Sequence, residues 1–272
     1  LAYTWMKVDG PFHNIAVCDA ELLTALSHIA PVFPDAVLAA IDNASANQEF
    51  CSRNNHNFSV FVQLLRKIAY DDQYFDRAAE LILRFADTEK AGENNNSIAS
   101  QLSSLFSLYL SGTQATPSRR HAFVKRMLDS GDARQLEVAQ DILRSAFEAS
   151  HWTSYGGFDF GARSRGYGWE PKTNKEKLDW YVGFAELLEP LLDSKNEPRV
   201  NWAKELLANH FVGLWTYAGC FDFLEGIVRK YGASGQWPDM WRSIKRTIHY
   251  NGKKHTPELL KKIEELERLA AP

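Results

Sequence analysis

Residues 75–86 read FDRAAELILRFA and carry apolar side chains at Phe75, Ala78, Ala79, Ile82, Leu83 and Ala86. This spacing of three to four residues is typical of an α-helix that buries one face. Similar stripes run through the chain: Leu22 to Ile29, Phe61 to Ala69, Leu102 to Tyr109, Phe123 to Leu128, Leu136 to Phe147, Leu178 to Leu188, Leu206 to Leu214, Phe223 to Val228 and Leu259 to Leu269. No comparable run alternates strictly, so the sequence predicts helices and no strands.

Capping signals mark where these helices begin and end. Thr116-Pro117 and Thr256-Pro257 each place a hydroxyl just before a proline at the first helical position. Thr173 and Glu176 have the spacing of a capping box, and Pro190 should end or kink the helix that follows. Weaker signals of the same kind are Asp132 with Gln135 and the helix-ending glycines Gly131, Gly232 and Gly252.

These signals predict an all-α fold of about a dozen helices joined by short links. Successive helices would form antiparallel pairs of about 35–45 residues, stacked as an α-solenoid. The sequence has no strict internal repeat, so an irregular helical array is the alternative. We expect residues 1–272 to form one array, with subregions 15–150 and 173–270 joined by a long Gly/aromatic loop at 151–172.

The core of that loop, residues 156–169, reads GGFDFGARSRGYGW. It holds five of the sixteen glycines, four aromatic residues and two arginines. Each glycine costs a helix about 1 kcal/mol, so this segment cannot be helical. Three interpretations stay open: a structural plug whose rings are buried, a recognition loop, or part of an active site.

Four loop residues are candidate partner-binding groups. The guanidinium groups of Arg163 and Arg165 match carboxylate or phosphate, and in an extended loop they would point the same way. Tyr167 and Trp169 offer large contact areas, and the aromatic residues would also anchor the loop.

Arg242, Lys245 and Arg246 are further candidate partner-binding residues. They lie at helical spacing with His249 and would share one face. A second basic stretch runs from Arg119 to Arg134. Either stretch could contact phosphate or an acidic protein, or could simply be a solvated helix face.

Signatures of catalysis and cofactor binding are missing from the sequence. It contains no GxxxxGK[ST], GxGxxG, HExxH, GxSxG or EF-hand pattern. We therefore predict a chain that is not an enzyme and has no cofactor and no metal site. The alternative is an enzyme whose site lies near loop 151–172, with His151 and Asp159 as an acid–base pair beside the arginines.

Composition narrows the class of protein. A hydrophobic fraction of 45% with 24% charged residues is ordinary for a folded globular chain. The net charge of −3 argues against a nucleic-acid binder with a globally basic surface. Cys18, Cys51 and Cys220 are far apart and lack CxxC spacing, which favours a reducing cytoplasm over a disulfide framework.

The apolar runs and the first residues of the sequence lead to further expectations. No apolar run approaches the ~20 residues that span a bilayer, and Lys7 and Asp9 interrupt any signal peptide. Because the chain opens on Leu1, we expect it to be a segment of a longer protein.

The phrase FGARSRGYGW at 160–169, followed by Pro171-Lys172-Thr173, resembles HEAT-type helical-repeat regions of large bacterial proteins. Such regions often follow nucleotide-binding engines, including signal-transducing ATPases of the defence type. The resemblance implies a sensing or scaffold role and carries over no catalytic residue. The predicted function is a non-catalytic interaction or sensor module that binds a protein partner, the alternative being a nucleic-acid or phosphate-binding helical module.

Overall fold

The computed structural model describes residues 2–7, 9–89, 97–154 and 158–272. Over these ranges the chain is helical and forms no strand. One isolated antiparallel bridge joins Phe160 to Arg163 inside the Gly/aromatic loop. The predicted all-α fold is confirmed.

The α-helices are numbered here in chain order. They are α1 Ala2–Trp5, α2 Ala20–Ile29, α3 Pro34–Ser45, α4 Gln48–Cys51, α5 Phe58–Ile68, α6 Phe75–Asp87, α7 Ile98–Ser103, α8 Pro117–Asp129, α9 Ala133–Ala146, α10 Asn174–Glu186, α11 Glu189–Leu192, α12 Glu197–Gly213, α13 Phe221–Tyr231, α14 Pro238–Asn251 and α15 Pro257–Ala270. A π-helical turn, Leu214–Ala218, continues α12.

The predicted capping signals are confirmed where they are strongest. Thr116 and Thr256 accept hydrogen bonds from the third residue after them, at the starts of α8 and α15. Thr173 and Glu176 form a complete capping box at the start of α10. Pro190 lies in the first turn of α11, so the helix that follows Thr173 ends before it.

The spacing of the apolar stripe from Leu102 to Tyr109 predicted one continuous helix. This prediction is wrong. Helix α7 ends at Ser103 and continues only as a 3₁₀ turn to Phe106. Here the hydroxyls of Ser103 and Ser104 bond to carbonyls of the preceding turn, a local competition that weakens regular helix. Leu102, Leu105 and Phe106 are nevertheless buried, and Tyr109 is half-buried.

The chain divides into two compact units. Unit 1 comprises Leu1–Ser145 and Thr153–Glu170, and unit 2 comprises Ala146–Trp152 and Pro171–Pro272. Most of loop 151–172 is therefore part of unit 1, whereas the sequence suggested a connector between subregions 15–150 and 173–270.

Unit 1 is built around α5, α6 and α7, and α6 also packs against α3. An aromatic cluster of Phe75, Phe106 and Phe123 fills its interior, with ring centroids 5.6–6.2 Å apart. All three rings are essentially inaccessible to solvent. The predicted buried face of α6 is confirmed by this cluster.

In unit 2 the helices pack both with second neighbours in the chain and with adjacent helices. Helix α12 packs against α14, α13 against α15, and α14 also against α15. Trp215 stacks on Phe211 at 5.6 Å between centroids, and both rings are buried. Trp180 and Tyr181 of α10 tie residues 146–152 to this unit through bonds to the carbonyls of Ala146 and Glu148.

Candidate functional site

The buried Arg120 of α8 fixes the irregular segment 107–115. Its side chain is completely inaccessible, and its three nitrogens donate to the carbonyls of Ala115 at 2.9 Å, Ser107 at 3.2 Å and Thr113 at 3.2 Å. Burial lowers the pKa of Arg120 to about 9. These three hydrogen bonds hold the non-helical segment 107–115 in one conformation.

The Gly/aromatic loop docks on that segment through its backbone. The Gly112 amide donates to the Tyr167 carbonyl at 2.8 Å, and the Trp169 amide donates to the Thr113 carbonyl at 2.7 Å. Between these bonds lies Gly168 with a φ of +103°, so close to Thr113 that a Cβ atom would lie 2.5 Å from its carbonyl oxygen. Only glycine fits this position without strain.

Arg165 is the main side-chain anchor of the loop. It donates to the Lys67 carbonyl at 2.5 Å and to the Asp71 carboxylate at 2.9 Å. Its guanidinium lies between two rings, 4.4 Å from the centroid of Tyr70 and 4.8 Å from that of Phe160. Only 4% of the side chain is exposed. Arg165 therefore stabilises the loop internally, in contrast to the expectation that it contacts a partner.

The other three loop candidates differ in exposure. Tyr167 is 61% exposed, with its ring edge-on to Phe158 at 6.0 Å. Arg163 is exposed and lines a groove of about 480 Å³ with Val32, which is 67% exposed. Trp169 is half-buried, its ring 5.9 Å from the Arg120 guanidinium. The structure thus separates Arg163 and Tyr167, which are accessible, from Arg165 and Trp169, which hold the loop.

Two clefts flank the loop over helix α5. The Phe158 cleft, about 60 Å³, lies between Phe158, Arg66 and Gly112. The Phe160 cleft, about 260 Å³, is lined by Phe160, Val60, Leu64 and others. Gln63 and Lys67 of α5 line both clefts. We call the exposed side of the loop together with these clefts the loop surface.

A separate polar cleft of about 680 Å³ lies near the C-terminal ends of α3, α4 and α6. Asp87 lines it, and burial together with the nearby carboxylates of Asp132 and Glu80 raises the pKa of Asp87 to about 6. Arg84 lines it too and is held by Asp42 at 2.6 Å. The cleft therefore contains a carboxyl group that can change charge near neutral pH.

In unit 2 the predicted basic face lies on α14. Arg242, Lys245 and Arg246 are all exposed. Arg242 pairs with Asp239 at 2.5 Å, and the Lys245 amine lies 4.6 Å from the Trp241 ring. These residues belong to unit 2 and the loop residues to unit 1, so the seven candidates form two separate sets.

The hydrogen bonds found for the two residues of the enzymatic alternative involve the Asp159 side chain and the His151 backbone, not the His151 imidazole. The Asp159 carboxylate accepts the Arg165 amide at 3.3 Å. The His151 amide donates to the Glu148 carboxylate at 3.2 Å. Within the described ranges, no three His, Cys, Asp or Glu side chains are grouped so as to hold a metal ion. Cys18, Cys51 and Cys220 are buried thiols.

No protein-family model matches the chain, and no curated protein or solved structure resembles it significantly. None of the helices described is both long enough and apolar enough to cross a membrane.

Sequence reasoning missed Arg66, Lys67 and Val32. Arg-Lys in the last turn of a helix is ordinary because the helix dipole favours cations there. Val32, next to Pro31 in the short link before α3, also carried no signal. Loop residues line a groove with Val32 and a cleft with Arg66 and Lys67, and these contacts exist only once the loop is docked.

Proposed function

We propose that this chain is a non-catalytic interaction module that binds a protein partner through the loop surface of unit 1. The observation that carries the proposal is the combination of an exposed Tyr167 with a backbone already fixed by Arg165. A surface that is ordered before binding loses little conformational entropy on association. Exposed tyrosine and arginine are the residue types enriched at such interfaces.

The proposal includes a HEAT-like sensor or scaffold role within a larger protein. The packing of α12 on α14 and of α13 on α15 supports it, since second-neighbour packing is what stacked helix pairs produce. The exposed apolar side chain of Val32 beside Arg163 gives the surface a mixed apolar and charged character.

Site-specific photo-crosslinking tests this proposal. A benzophenone amino acid replaces Tyr167 in the full chain, and the same residue replaces Tyr217, a 40% exposed tyrosine of unit 2, as the matched control. In cells of the source organism, we expect a dominant protein adduct from position 167 that position 217 does not give. Identical adducts from both positions, or none from position 167, would refute binding at the loop surface.

A second candidate function is phosphate or nucleic-acid binding by unit 2. It is favoured by the exposed row of Arg242, Lys245 and Arg246, next to the exposed ring of Tyr250. Titration of single-stranded and duplex nucleic acid at several salt concentrations tests it. We expect affinity to fall with salt, and a triple glutamine variant of the three cations to flatten that slope. Absence of binding at low salt would exclude this candidate.

A further inference from the structure

Arg66 differs from most arginines of unit 1, which pair with carboxylates, and from the buried Arg120, which donates to three backbone carbonyls. Its side chain donates to the Ser104 hydroxyl at 2.8 Å, and its buried Nε–H has no acceptor. Most of the other arginines described in the unit pair with carboxylates, as Arg77 does with Asp35 at 2.8 Å and Arg84 with Asp42 at 2.6 Å. Burying a cation without a counter-charge is costly, and here burial lowers the pKa of Arg66.

Lys67 adds a second uncompensated charge at the same place. Across the part of unit 1 that the structure describes, no carboxylate pairs with the side chain of Arg66 or Lys67. The nearest acidic neighbour in the chain, Asp71, is bound to Arg165. The Phe158 cleft is therefore lined by two cationic side chains with which no described carboxylate pairs.

The sizes of the two clefts limit what can fill them. The Phe158 cleft, about 60 Å³, has space for a small group such as a carboxylate rather than for a nucleotide. The Phe160 cleft, about 260 Å³, presents the apolar side chains of Val60, Leu64 and Phe160. Because Gln63 and Lys67 line both clefts, one short ligand can occupy the two together.

We propose that the paired clefts over α5 bind an acidic–apolar peptide segment of the partner protein. An Asp or Glu carboxylate accepts hydrogen bonds from Arg66 and pairs with Lys67, while an aliphatic side chain nearby enters the Phe160 cleft. Apolar contact beside a charge-assisted hydrogen bond distinguishes such a segment from free phosphate. This inference rests on the proposed function and specifies the chemistry of its partner.

Peptide titration of the full chain tests the proposal. The probes are GSGDLGSG, its Asn-Leu and Asp-Ser counterparts, and inorganic phosphate, each observed through the Arg66 Nε–H signal in ¹⁵N-resolved NMR spectra. We expect saturable shifts with the Asp-Leu peptide and about tenfold weaker binding by each counterpart and by phosphate. Phosphate that binds as tightly as the peptide, or no saturable shift with the peptide, would overturn the inference.

Charge-removing variants complete the test. Arg66→Gln and Lys67→Gln should each reduce affinity for the Asp-Leu peptide about tenfold or more. Arg144→Gln, which removes an exposed arginine paired with Asp141 in α9, should leave it unchanged. Arg66→Gln removes an uncompensated buried charge, so we expect it to fold, as circular dichroism would verify. If Arg66→Gln unfolds, the affinity of Lys67→Gln for the Asp-Leu peptide decides the test, because the Lys67 side chain is exposed.

The crosslink from position 167 separates this inference from the proposed function. If the adduct persists in the Arg66→Gln/Lys67→Gln double variant, the acidic-peptide inference fails while partner binding stands. If the adduct disappears in that variant and remains in Arg144→Gln, both are supported. If the peptide binds but position 167 gives no adduct, the site stands as a carboxylate site and the proposed function fails.

Discussion

The guanidinium of Arg165 lies 4.4 Å from the centre of the Tyr70 ring. It also donates a hydrogen bond to Asp71, which lies 94 residues earlier in the chain, just after the end of α5. Polar, ionic and aromatic contacts thus converge on one nearly inaccessible side chain. The fixed position of the loop depends on this convergence.

Arg165→Ala should lower the free energy of unfolding by about 3 kcal/mol, because it leaves Asp71 and the Lys67 carbonyl without their donor. Arg163→Ala, on the exposed side of the same loop, should change it by less than about 0.5 kcal/mol. Urea-induced unfolding of both variants measures the difference. Equal effects would contradict the assignment of Arg165 as the anchor.

Gly168→Ala should destabilise the protein by at least about 2 kcal/mol. The new methyl group would lie 2.5 Å from the Thr113 carbonyl oxygen, at a φ that L-residues rarely adopt. Gly166→Ala is the matched control, since its Cβ would meet no atom within 4 Å. Thermal unfolding should separate the two variants, and a tolerated Gly168→Ala would mean that the loop does not pass this close to Thr113.

Arg120→Lys keeps the positive charge but should cost about 3 kcal/mol, because one amine cannot reach the three carbonyls that the guanidinium serves. Arg126→Lys, on the same helix, alters a surface pair with Glu80 at 4.0 Å and should cost less than about 0.5 kcal/mol. Chemical denaturation of the pair tests the geometry, and similar values for both would argue against the buried network.

Asp87→Asn should stabilise the protein in a pH-dependent manner. The pKa of Asp87 is raised to about 6 in the folded state, above the usual 3.8, so the folded state binds more protons between these values. Stability therefore falls as pH rises through about 6. A shift of this size corresponds to about 3 kcal/mol for a shielded group, and the solvent contact of Asp87 reduces the expected gain to about 1 kcal/mol.

The gain from Asp87→Asn should be present at pH 7.5 and absent at pH 4, measured by urea unfolding at both. Glu264→Gln, an exposed carboxyl of α15, should give no such difference. A gain that persists unchanged at pH 4 would show that the raised pKa is not its cause.

Local signals predicted the helices well. Thr173 and Glu176 lie three residues apart, so their capping box could be read from sequence spacing, and so could the break at Pro190. The contacts of the Arg165 side chain could not be predicted in this way, because its partners lie 94 and 98 residues earlier in the chain. For the same reason the sequence shows Arg66 only as one of 31 basic residues. It does not show that no described carboxylate pairs with Arg66.

The division of the chain has a practical consequence for anyone who wishes to dissect it. The chain passes from unit 1 to residues 146–152 of unit 2, returns for 153–170, and then completes unit 2. A fragment that stops at residue 150 would lack Phe160 and Arg165, and one that starts at 171 would strip Trp180 and Tyr181 of their carbonyl acceptors. No single cut releases an intact half, and a ribosome must pass residue 170 before the first unit can finish folding.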